Sequence, residues 1–174
     1  MLIFISGSSR SGKSSYAESK LESLNGSVKI YIAASGVTDS EMKERVRLHQ
    51  ERRKDKGFIT IECECDLDRV NIPENADVMI ESLTAWTANE MFMDNGVNDS
   101  AYITAKIYSE LERIIHMAMN VIVVADDIFS DGMHYDALTE EYMKTLAELE
   151  IMTASRADEV IEIFAGMPYN YVKE

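Results

Sequence analysis

Eight consecutive residues, Gly7-Ser8-Ser9-Arg10-Ser11-Gly12-Lys13-Ser14, satisfy the spacing G-x-x-x-x-G-K-[ST]. A loop of this composition curls its backbone so that successive N–H groups converge on phosphate oxygens at the positive end of a following helix. Its lysine reaches the β- and γ-phosphates, and its serine hydroxyl is placed to ligate Mg²⁺. The chemistry that fits is the binding and transfer of phosphoryl groups from a nucleoside triphosphate. Such a site also needs an acid at the end of another strand to hold the magnesium shell. Two runs offer one: Val78-Met79-Ile80 closes on Glu81, and Val121-Ile122-Val123-Val124-Ala125 closes on Asp126 and Asp127. The second run has more of the strand pattern, yet each acid could equally cap the segment after its strand. Spacing alone leaves both open.

A second constellation surrounds His49. From Lys43 to Lys56 the chain carries seven cationic side chains against Glu44, Glu51 and Asp55, an island of positive charge on a protein of net charge −14. A polyphosphate substrate suits such an island, although a solvated basic helix face has the same composition. The spacing predicts a helix over Thr38–Arg53, opened by a capping box of Thr38 and Glu41. On it Met42, Val46, His49 and Arg53 share one face. His49 then has two readings. It packs as part of an apolar stripe, or it acts as a nucleophile. The neighbouring Arg45, Arg52 and Arg53 lower the pKa of the ring and keep it neutral, and a neutral imidazole can attack phosphorus to form a phosphoramidate. His116 and His134 have no comparable neighbours, and Cys63 with Cys65 is too small a set for zinc.

These residues must be positioned by regular elements, and the pattern supplies them. Strand-like runs at Leu2–Ser6, Val28–Ala34, Phe58–Cys63, Asp77–Glu81, Val121–Ala125 and Glu159–Ala165 alternate with helical periodicity, and a short tail strand follows. The helices fall at Gly12–Leu24, Thr38–Arg53, after Glu81 to about Asp94, Asp99–Met119 and Asp136–Arg156. Strand–helix alternation implies right-handed crossovers and a largely parallel sheet covered on both faces. The expected fold is a three-layer α/β domain, with residues 1–174 forming one nucleotide-binding unit.

Composition narrows the partners. Hydrophobic residues make up 46% of the 174 and charged residues 28%, enough for a sizeable core. Acidic residues number 31 against 17 basic ones. A duplex-coating role is excluded on that balance, and no nucleic-acid partner is expected. No apolar run reaches the roughly 18 residues of a membrane span. Two cysteines cannot build a disulfide framework, and a reduced cytoplasmic setting is expected.

Several of these segments together resemble a known family. Gly7–Ser14, Tyr31-Ile32-Ala33-Ala34-Ser35, Asp39-x-Glu41-Met42 with Arg45-Val46-x-x-His49, Glu62, Glu81-Ser82-Leu83-Thr84-Ala85-Trp86 with Asn89, and Ala157-Asp158-Glu159-Val160 are similar to the bifunctional adenosylcobinamide kinase/adenosylcobinamide-phosphate guanylyltransferases of cobalamin assembly. The resemblance implies a RecA-like P-loop fold and a homo-oligomer, a trimer by that likeness. It implies two reactions: phosphorylation of the aminopropanol hydroxyl of adenosylcobinamide by ATP or GTP, then transfer of GMP from GTP through a histidine–GMP intermediate. It places the nucleophile at His49 and catalytic triphosphate contact at Lys13. It places nucleotide contacts at Gly7, Ser8, Ser9, Arg10, Ser11, Gly12, Lys13, Ser14, Ala33, Ala34, Ser35, Gln50, Glu51, Arg52, Arg53, Glu62 and Glu81. Mg²⁺ falls to Ser14 and Glu81, which favours Glu81 over Asp126. The chain departs from the family at Asp126-Asp127-Ile128-Phe129 and over Met143–Ile151, segments expected to serve the corrinoid side or the subunit contacts. Two other readings fit the residues: a P-loop kinase of another small hydroxylated metabolite, and a nucleotide-binding protein with reduced catalysis.

Overall fold

The computed structural model describes residues 1–35, 56–92, 98–130 and 132–171. The helix expected over Thr38–Arg53 lies outside them. An inner strand, β1 (Leu2–Gly7), shows how the sequence dictates the layers. Side chains alternate across a strand, so Leu2 and Phe4 join one core while Ile3 and Ile5 join the other. β5 (Asn120–Asp126) repeats the pattern, with Val121, Val123 and Ala125 on one face and Ile122 and Val124 on the other. Strands buried on both faces read as unbroken apolar runs, which is why these two were the plainest in the sequence.

The remaining strands are β2 (Val28–Ala33), β3 (Phe58–Glu62), β4 (Ala76–Glu81), β6 (Glu159–Phe164) and β7 (Met167–Tyr171). They form one seven-stranded sheet in the order β3-β2-β4-β5-β1-β6-β7. All pairs are parallel except β6 with β7, a hairpin turned at Ala165-Gly166. Helix α1 (Lys13–Ser23) covers one face through Ala17 and Leu21. Helices α2 (Leu83–Phe92), α3 (Ser100–Met117) and α4 (Ala137–Arg156) cover the other, burying Leu83 and Trp86, then Ile103, Ile107, Leu111 and Ile114, then Leu146 and Leu149. Two of these helices start where an aspartate satisfies free amides. Asp99 accepts from the Tyr102 N–H, and Asp136 from those of Leu138 and Thr139. Observed element ends lie within a residue or two of the expected ones, the usual fraying.

Topology marks one place on this sheet. β1 and β5 are neighbours, yet the chain leaves β1 onto one face, through α1, and reaches the other face through α4 after β5. Adjacent strands that diverge in this way open a crevice at their carboxyl ends, where ligands bind in open α/β sheets. The opposite end of the sheet is sealed by a buried polar anchor. Asp77, wholly buried, accepts from the Gly26 N–H at 2.7 Å, Lys29 Nζ at 2.6 Å and Asn120 Nδ2 at 2.7 Å.

Candidate functional site

Residues 7–14 form the turn from β1 into α1, at the mouth of that crevice. Gly7 is held by its neighbours. A Cβ built on it would lie 2.6 Å from the Ile163 carbonyl oxygen of β6 and 2.8 Å from Ser11 Oγ. Gly12 caps α1 at φ +94°, a left-handed conformation that favours glycine. The turn closes by the Ser11 N–H to the Ser8 carbonyl at 3.1 Å. It is braced from both sides, by the Asp127 N–H on the Gly7 carbonyl and the Gly166 N–H on the Ser11 carbonyl, each at 2.9 Å. Ser8, Ser9 and Arg10 face solvent, with Arg10 at φ +59°. Ser11 is buried, and its hydroxyl has no hydrogen-bond partner among the described residues.

Lys13 is buried, yet its ammonium points back into the loop. It donates to the Ser8 carbonyl at 3.2 Å and pairs with Asp126 Oδ1 at 2.6 Å. The next residue, Ser14, donates its hydroxyl to Glu81 Oε1, and Tyr31 donates its hydroxyl to the other oxygen of the same carboxylate. Both strand-end acids therefore reach the loop. Glu81 ends β4 against Ser14, and Asp126 ends β5 opposite Gly7 in the register and against Lys13. The choice between them that the sequence left open is not a choice in space.

Ala33, Ala34 and Ser35 continue β2 at the same carboxyl edge. The Ala34 N–H bonds the Glu81 carbonyl at 2.8 Å, and Asn89 Nδ2 donates to the Ala34 carbonyl at 2.7 Å. Glu62 ends β3, paired in register with Ala33. The structure thus gathers the loop, Ala33, Ala34, Ser35, Glu62 and Glu81 along one edge of the sheet. His49, Gln50, Glu51, Arg52 and Arg53 lie outside the described residues.

Sequence reasoning missed a second group on the α4 side. Thr84 Oγ1 accepts from the Asp126 N–H at 2.8 Å, and its carbonyl accepts from the Tyr142 hydroxyl at 3.0 Å. Burial pushes the Tyr142 phenol up to about 12, with the Asp126 and Glu150 charges adding to it. Glu150 is pushed up to about 7, first by burial and then by the charges of Asp127 and Asp126. One of its oxygens is buried without a hydrogen-bond partner among the described residues. Nothing local in Tyr142 or Glu150 signals this role, because packing of α4 against α2 and the end of β5 brings them here.

A family model described as Cobinamide kinase / cobinamide phosphate guanyltransferase matches residues 3–171. The chain belongs to this family. Two relatives that cover nearly the whole length are named bifunctional adenosylcobalamin biosynthesis protein CobU. The protein from Salmonella typhimurium is 25% identical and that from Escherichia coli 26%, each alignment spanning 96% of this chain and 97% of the relative. Solved structures support the fold. The flagellar accessory protein FlaH of Methanocaldococcus jannaschii superposes with a TM-score of 0.52 at 15% identity, over 97% of this chain and 75% of its own. A KaiC-like protein of Pyrococcus horikoshii gives 0.51 at 10% identity, over 92% and 71%. The family member therefore has the RecA-like P-loop fold expected from its sequence, with a mostly parallel sheet between two helical layers. Among the described residues, no helix is long and apolar enough to cross a membrane.

Proposed function

We propose that this chain is a bifunctional cobinamide kinase and cobinamide-phosphate guanylyltransferase, acting as a single cytoplasmic domain that assembles into a homo-oligomer. The observation that carries the reading is the meeting of Lys13, Ser14, Glu81 and Asp126 at the carboxyl ends of β1, β4 and β5, within a chain of this family. In the first reaction the loop holds ATP or GTP. The acceptor hydroxyl bonds to the γ-phosphorus as the nucleoside diphosphate leaves with the electron pair of the broken bond. Lys13 exchanges Asp126 for phosphate oxygens and offsets the charge that moves onto the leaving group. The Ser14 hydroxyl and Glu81 carboxylate are hard oxygen donors in contact, a pair that suits Mg²⁺. They would hold it, and when bound it neutralises charge on the phosphate oxygens.

In the second reaction His49 attacks the α-phosphorus of GTP, and pyrophosphate departs with the electrons of the broken bond. The phosphate of the acceptor then takes GMP from the histidine nitrogen. Arg52 and Arg53 of the cationic island are the charges suited to the departing pyrophosphate. Ala33, Ala34, Ser35 and Glu62, on the strand ends beyond Glu81, are read as nucleotide contacts in this step.

Brief incubation with GTP labelled at the α- or γ-phosphate tests both halves. Acid-labile, alkali-stable α-label on the protein is expected, together with acceptor-dependent γ-transfer. His49→Asn should abolish the α-label and spare γ-transfer, since phosphoryl transfer to an alcohol needs no enzyme nucleophile. An adduct that persists in the variant removes His49 from the mechanism. Transfer of γ-label alone in the wild-type protein reduces the function to that of a kinase, and binding without turnover removes both activities.

A further inference from the structure

A cavity of about 500 Å³ opens beside the phosphate loop, lined by Ser8, Asp127, Ile128, Thr139, Tyr142 and Met143 among others. Three observations define what it can hold. First, it shares backbone with the loop. The Ser8 carbonyl holds Lys13 Nζ, and the Asp127 N–H is bonded to the Gly7 carbonyl, so whatever fills the cavity lies next to a bound triphosphate. Second, the one charged group that lines it among the described residues is fixed. Asp127 accepts from the Phe129 N–H at 3.0 Å and from the Ser130 hydroxyl at 2.8 Å, and its remaining lone pairs are free to accept again. Third, among the described residues no lysine or arginine lines it, and Asp126 adjoins Asp127 at the end of β5. Burial is the largest cause of the rise of Glu150 to about 7, and the charges of Asp127 and Asp126 add to it, so the carboxylates at this end of β5 set a negative field.

We propose that this cavity is the alcohol subsite of phosphoryl transfer: it takes the hydroxyl-bearing end of an uncharged, partly apolar arm, and Asp127 accepts the hydroxyl's hydrogen. The proposal rests on the kinase half of the reading above and adds where the acceptor enters and what it must carry. Hydroxyl and carboxylate lining welcomes an alcohol and repels a phosphate monoester, while Ile128 and Met143 cover the carbon stem. The volume suits a ligand fragment, so a macrocycle stays outside and only its arm enters. In the transfer the alcohol oxygen bonds to the γ-phosphorus while the bond from that phosphorus to the bridging oxygen breaks. The nucleoside diphosphate keeps the bonding pair, and the proton passes to the Asp127 carboxylate and on to water. The phosphorylated arm is then expelled by the same field that admitted it, and the second reaction takes place elsewhere.

The test uses the full chain with cobinamide as acceptor, GTP affinity by calorimetry, and guanylyl transfer to supplied cobinamide phosphate. Met143→Trp fills the cavity. It should raise the acceptor KM at least about tenfold, leave the GTP Kd within about twofold, and leave guanylyl transfer intact. Asp127→Asn keeps the size of the side chain and its bond to the Phe129 N–H, so it remains informative if the tryptophan disturbs α4. It should lower the kcat of phosphorylation by about a hundredfold or more at unchanged GTP affinity. Phosphorylation kinetics unchanged in both variants overturns the alcohol subsite while the kinase assignment stands. A wild-type protein that binds GTP and never phosphorylates cobinamide overturns that assignment, and the subsite with it.

Discussion

Lys13 is held by two groups of its own protein, the Ser8 carbonyl and the Asp126 carboxylate. A triphosphate must offer it more than they do, and on the proposed function it does. Lys13→Ala should therefore weaken GTP binding by about 1.5–3 kcal/mol, roughly ten- to a hundredfold in Kd, with cooperative unfolding retained. Calorimetry with Mg²⁺ reads this directly, and an unchanged Kd removes the phosphate role from the loop. At this scale much was legible. The loop's glycines, lysine and serine are recognisable because their roles need fixed residue types at fixed spacing. The strand-end acid was not legible as a single residue, because β4 and β5 are adjacent and both bring an acid to the loop. Tyr142 and Glu150 could not be read at all, since the packing of α4 decides what they face.

Among the elements, β1 and β6 are in close contact where the loop begins. Gly7→Ala would set a methyl group against the Ile163 carbonyl, a backbone atom that cannot turn aside. Overpacking of this kind costs about 1–3 kcal/mol, and separation of β6 from β1 should also loosen the loop. The expected result is a lower urea midpoint together with weaker GTP binding, measured on the same preparation. Gly12→Ala should disturb folding less, because its Cβ would meet nothing nearer than 3.7 Å, although its φ stays strained. The strands were readable as apolar runs and the helices from periodicity and their capping aspartates. The short 3₁₀ turn at Leu67–Arg69 was not. Its shape depends on residues distant in sequence: Glu90 accepts from the Asp66 N–H, Glu110 accepts from the Leu67 N–H, and Lys106 bridges Asp66 and Glu90.

For the whole molecule, two internal carboxyls set a pH dependence. Glu110 and Glu150 are each raised from 4.5 to about 7, with burial the largest cause in both. A carboxyl whose folded pKa exceeds its unfolded value stabilises the fold while protonated. That contribution is complete below about 4.5 and is lost as pH climbs through about 7. Stability to urea should therefore fall between pH 5 and pH 8. Glu150→Gln, which removes a charge with a buried unpartnered oxygen, should flatten the decline and raise stability at pH 8 by on the order of 2 kcal/mol. A decline identical to that of the wild-type protein rules Glu150 out as its source. This property was invisible in composition, which gives a net charge of −14 without saying which carboxyls are inside.

The phosphate loop is translated well before two of its braces. Gly7 lies under the Ile163 carbonyl, and Ser11 accepts from the Gly166 N–H, so two of its contacts wait for residues more than 150 positions downstream. At ordinary ribosomal speeds of about 5–20 residues per second, the loop spends about 8–30 s outside the tunnel before β6 emerges beside it. Both edges of β1 lack a partner until β5 emerges and one edge until β6 does, and throughout the turn lacks the carbonyl that confines Gly7. A nascent chain therefore completes its nucleotide site only when the hairpin of β6 and β7 closes over a loop made well before it.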